Sequence, residues 1–137
     1  MRRTYPFLIG MANLLAGAFM VIATFAWTAG TAVDLGFAIS IALVVFGLTM
    51  TLLGARGYAS AERIAVTVLG GLTTLVAAWT IVATQVFATG PARWLVFASG
   101  LAHVAISAAS LVVHEVSTER VVHHLEVSRE REPIATG

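Results

Sequence analysis

The sequence predicts an all-α membrane protein: four transmembrane helices in two tandem hairpins. Three observations carry that expectation. Apolar residues make up 58% of the 137-residue chain and charged residues only 11%, against roughly a quarter charged in soluble domains. The apolar excess falls in four blocks, each close to the roughly 20 residues that cross the hydrocarbon core as a helix. The charges gather at the block ends. Strands are disfavoured because the blocks lack period-two alternation, and because a helix satisfies its backbone within one segment in lipid.

The first span is expected at about 7–29. Arg2 and Arg3 precede it as in a signal peptide, but the apolar run outlasts the roughly 7–15 residues of a signal h-region. It therefore reads as a retained span. Gly10, Asn13, Gly17, Met20 and Thr24 share one helical stripe there. The second span is expected at about 35–54, with Ser40, Gly47, Thr51 and Gly54 on a stripe. The third is expected at about 64–87, with Thr67, Gly71, Thr74 and Ala78. Small and weakly polar residues are what membrane helices use to pack closely, since lipid offers no hydrophobic drive between helices. Asn13, Gly17 and Gly71 are candidate packing residues on that ground.

The fourth span, at about 93–114, is sided. Ser99, His103, Ser107, Ser110 and His114 form a narrow polar stripe. Ala98, Ala102, Ala105 and Ala109 flank it, and both faces are expected to meet protein. Trp94, Phe97, Leu101 and Val112 belong to a bulky face expected to meet lipid. Residues 1–114 thus make the transmembrane domain. Residues 115–137 are expected to extend the fourth helix as a tail with a disordered end, since Pro133 is the first Gly or Pro after the span. Val116, Val121, Val122 and Leu125 give this tail an apolar strip, so Val121 and Leu125 are candidate contacts for a partner.

Arginine sets the orientation. Arg2, Arg3, Arg56, Arg63, Arg120, Arg129 and Arg131 fall on one side and only Arg93 on the other. The positive-inside rule places both termini in the cytoplasm. Lysine is absent, which points to a GC-rich bacterial genome and so to a multi-pass protein of the bacterial inner membrane. Trp27 and Trp94 suit an aromatic belt at the outer boundary.

The stripes also suggest a tandem duplication. A shift of 54 residues carries Asn13 onto Thr67 and Gly17 onto Gly71; a shift of 59 carries Ser40 onto Ser99 and Thr51 onto Ser110. Each half holds two spans, as a parallel repeat requires. With Ala23-Thr24-Phe25 and Ala77-Ala78-Trp79 near the ends of spans one and three, the chain resembles the SPW-repeat proteins, small bacterial four-span proteins. Only Trp79 matches the Ser-Pro-Trp signature; the Ser and Pro are replaced in both halves. The architecture is also similar to accessory subunits beside MCE-type lipid-uptake machinery, and that resemblance implies a lipid-transport complex as partner.

His103 admits three readings. A haem would need a second histidine at similar depth, and His114 lies roughly 16 Å along the axis; two copies sharing His103 could still supply one. A proton relay would need titratable neighbours, yet no span holds Asp, Glu or Lys in its middle. A structural hydrogen bond to another helix is favoured, with Thr24, Thr80 or Ser40 better placed by depth than Asn13. His123 and His124 invite a metal reading, but adjacent histidines point about 100° apart on a helix and no third ligand is fixed.

No nucleophile–base pair, paired carboxylates, metal constellation, phosphate loop or basic face is present. There is no cysteine. The expectation is a non-catalytic accessory or scaffold subunit, not an enzyme, with no cofactor and no metal. Its partners would be membrane lipids and other membrane subunits, not nucleic acid; a homo-oligomer remains open. The alternative is an autonomous small transporter or channel using Ser99, His103 and Ser107.

Overall fold

A computed structural model describes residues 4–56 and 60–131. Its elements are four α-helices: α1 (Thr4–Ala26), α2 (Ala29–Ala55), α3 (Ala61–Val86) and α4 (Thr89–Arg131). All four are long and apolar enough to cross a membrane. Arg2 and Arg3, which contribute to the expected orientation, lie outside the described residues, as do residues 132–137, where the tail expected to end in disorder finishes.

The helices begin earlier than hydropathy places them, because caps and not apolarity set their starts. Thr28 accepts a hydrogen bond from the Thr31 amide at the start of α2, and Ser60 accepts one from Arg63 at the start of α3. Only Trp27 and Thr28 connect α1 to α2, and only Phe87 and Ala88 connect α3 to α4. Gly30, Gly90 and Pro91, which read as loop, are helical. Pro91 is tolerated because amides of a first helical turn have no intrahelical acceptor.

The duplication is real in the fold, but its shift is 60 residues for both helix pairs. The buried positions of α1 are Pro6, Ile9, Gly10, Asn13, Gly17, Met20, Ala23 and Thr24. Those of α3 are Val66, Leu69, Gly70, Thr73, Ala77, Thr80, Ala83 and Thr84, each 60 later. Buried Ala32, Gly36, Ser40, Leu43, Gly47 and Met50 of α2 correspond in the same way to Ala92, Val96, Gly100, His103, Ser107 and Ser110, which are also buried. The shifts of 54 and 59 matched residue types across different stripes. Under the structural shift Trp79 corresponds to Phe19, not Phe25.

The most extensive packing joins α1 to α4 and α2 to α3, which are equivalent pairs under the repeat. Glycine permits both. A Cβ on Gly17 would lie 2.5 Å from the Gly100 carbonyl oxygen, and one on Gly47 would lie 2.8 Å from that of Gly70. The backbones approach where side chains are missing, as close-packed membrane helices require.

The core has three layers. Ile9, Met50, Val66, Leu69 and Ile106 cluster toward the end where α1 begins and α2 meets α3. Met20, Leu43, Ala77 and Val96 cluster toward the end of the two tight connections. Asn13, Thr73 and His103 lie between them, all fully buried. On α4, Ala98, Ala105 and Ala109 are exposed and Ala102 is half-buried. The expected Ala-lined protein face is therefore turned outward within this chain, because the Val96, Ser99, His103, Ile106 and Ser110 positions already fill the inward side.

Candidate functional site

Among the described residues, Asn13, Thr73 and His103 form a buried polar layer inside the bundle. Asn13 is its hub. Its Nδ2 donates to the Ile9 carbonyl at 2.8 Å and to Thr73 Oγ1 at 3.0 Å. The Ile9 carbonyl can only accept, so the amide orientation is fixed. Oδ1 therefore faces His103 Nδ1, at 2.7 Å. An amide oxygen only accepts, so Nδ1 carries the hydrogen and donates. Thr73 in turn donates its hydroxyl to the Leu69 carbonyl at 2.8 Å. The chain of bonds runs His103 to Asn13 to Thr73 and ties α4, α1 and α3 at one level. His103 Nε2 is buried and has no hydrogen-bond partner.

The expected partner for His103 was Thr24, Thr80 or Ser40; the structure chooses Asn13. The misjudged depth came from the helix boundaries. With α1 ending at Ala26 and α4 starting at Thr89, Asn13 and His103 both sit about 20 Å below the tight connections. Thr24 and Thr80 spend their hydroxyls on their own helices, on the Met20 and Val76 carbonyls. Ser40 Oγ is buried without a partner.

The remaining candidates fall in several places. Gly17 lies against Gly100 and His103 Cβ. Ser99, Ser107 and Ser110 are buried, and Ser110 donates to the Ile106 carbonyl at 2.9 Å. His114 stacks at a tilt on Phe7, ring centres 5.8 Å apart. Gly71 is not a packing glycine in this chain: a Cβ there meets nothing within 4 Å, while one on Gly70 would lie 2.9 Å from the Thr51 amide. The packed stripe of α3 runs one residue earlier than expected. Val121 and Leu125 lie on the part of α4 that projects past the bundle, half-buried and exposed respectively.

Two features escaped the sequence reading. Thr73 is one; the match of "ATFAWTAG" at 23–30 to "ATQVFATG" at 83–90 would have placed it opposite Asn13. Arg93 is the other. Its guanidinium donates through Nε to the Thr24 carbonyl at 2.8 Å, with a second bond to the same oxygen from Nη2. It thereby caps one of the carbonyls that the last turn of α1 leaves without a helical partner. Arg93 also lies over the Trp94 ring, 5.8 Å from its centre. Trp94 joins Phe25 and Phe97 in an edge-to-face cluster at this end.

Among the described residues no group of three or more His, Asp or Glu side chains is placed to hold a metal. The layer's chemistry is that of a hydrogen-bonded pin between helices. No family model, no curated protein and no solved structure matches the chain.

Proposed function

We propose that the chain is a non-catalytic accessory or scaffold subunit of a larger bacterial membrane complex, embedded in the inner membrane with both termini cytoplasmic. One observation carries the reading. α4 runs to Arg131, roughly 25 Å beyond His114, its last ring contact with α1. That projection presents exposed Val122 and Leu125 to water. A single amphipathic helix in water is marginally stable alone and gains from being covered. The buried polar layer supports the same reading, because Asn13 and His103 spend donors on bonds between helices. The resemblance to subunits of MCE-type machinery makes a lipid-transport complex the assembly to examine first.

The test is extraction of the endogenous protein in mild detergent, followed by size separation and mass identification. Co-migration with defined membrane partners is expected. Recovery only as a free monomer ends this proposal. A second reading, an autonomous transporter, draws on the unpartnered Nε2 of His103. It expects solute flux in liposomes that His103→Ala alters, and flux no higher than in empty liposomes rejects it.

A further inference from the structure

The projecting part of α4 has a direction. His103, Ser107, Ser110 and His114 recur every three or four residues on the inward face of α4, and Thr118, Val121 and Leu125 continue that spacing. His114 meets Phe7 on α1. The strip around Val121 and Leu125 therefore overhangs the end of the bundle where α1 begins. Leu125 is 65% exposed and Val122 53%.

Along one edge of this strip run Glu115, Glu119, Glu126 and Glu130, all exposed, with Arg129, four residues after Leu125, standing between the strip and the last two of them. Glu115 and Glu119 are like charges four residues apart, away from Arg129. Such pairs destabilise a solvated helix. An occupant carrying positive charge would turn that cost into attraction.

Geometry narrows what the occupant is. α4 is one continuous helix from Thr89 to Arg131, so its end follows the axis of the span away from the bilayer and does not lie on lipid. A second copy in the same membrane would have to pair strip to strip with parallel helices. Each bundle lies on the strip side of its own α4, so the two bundles would occupy the same space. An amphipathic helix from another protein has no such conflict.

We propose that this corner docks a basic amphipathic helix of a partner protein, its apolar face on Val121, Val122 and Leu125 and its Lys or Arg residues along the Glu row. The proposal rests on the accessory-subunit reading and names the chemistry of that partner. The test uses the full chain in native membranes, with a photoreactive benzophenone side chain at position 125 and a control at lipid-facing position 101. The expected adduct joins position 125 to a Lys- or Arg-rich amphipathic peptide of another protein. The double variant Glu119→Lys, Glu126→Lys should reduce its yield about tenfold, with helix content by circular dichroism unchanged. An adduct with a second copy, with lipid or within the same chain overturns the proposal, as does one indifferent to charge reversal or no adduct. Native co-purification from the same membranes separates the two ideas. Partners recovered without an adduct at 125 defeat the docking site alone; no partners defeat the subunit reading as well.

Discussion

Asn13 holds its place through three partners, Ile9, Thr73 and His103, and its loss has a ranked outcome. Asn13→Ala orphans the Nδ1–H of His103 and empties the hub between α1, α3 and α4, costing about 1–3 kcal/mol. Thr73→Val removes one acceptor from Asn13 and should cost less, nearer the roughly 0.6 kcal/mol typical of membrane hydrogen bonds. Unfolding titrations in mixed micelles measure both; a larger loss for Thr73→Val would remove Asn13 as the hub. The glycines give a paired contrast. Gly17→Ala drives a Cβ into the Gly100 carbonyl and should cost about 1–3 kcal/mol through overpacking. Gly71→Ala meets open space and should be neutral, or stabilising by up to about 1 kcal/mol through helix propensity. The same assay reads both, and equal effects would contradict the assigned helix phase. Sequence marked Asn13, Gly17 and His103 as candidate packing residues, and all three are buried. It could not show that Asn13 and His103 touch, because a stripe reports which face is buried and not the depth at which two faces meet.

At the scale of the helix, existence and number were legible, since hydropathy and length decide them. Ends were not. Gly30 and Pro91, which read as loop, lie inside helices, so α2 starts at Ala29 behind its cap Thr28 and α4 starts at Thr89, not near Arg93. That displacement turned Arg93 from the first residue of the expected span into the cap of α1. Its removal is informative because the equivalent position under the repeat is Val33, which cannot donate. Arg93→Ala should lower stability by about 1–2 kcal/mol, combining a charge-assisted bond with the helix dipole. Thermal unfolding in detergent checks this, and Arg93→Lys should recover only part of it, since a lysine lacks the paired donors. An unchanged melting temperature for Arg93→Ala would mean that water serves the Thr24 carbonyl equally well.

The molecule behaves as two covalently linked hairpins that bury the same positions 60 residues apart, with the polar layer as their point of difference. His103 corresponds to Leu43 and Asn13 to Thr73. Where one half offers a histidine that hydrogen-bonds, the other thus offers a leucine that packs with Met20, Ala77 and Val96. The sequence disclosed a duplication but mismeasured its shift, because Gly, Thr and Ser recur on several stripes while burial selects only one. The dominant contacts run between hairpins, α1 with α4 and α2 with α3, and little of the packing depends on the α2–α3 link. Two separate chains, 1–58 and 59–137, should therefore assemble in the membrane. Co-expression with a tag on one half should recover both in equal amounts, because the Gly17–Gly100 and Gly47–Gly70 approaches each join one half to the other. Asn13→Ala should weaken that recovery, since the His103–Asn13 and Asn13–Thr73 bonds both cross between halves. Halves that each purify alone would show that the connection, and not the matched helix faces, holds the bundle together.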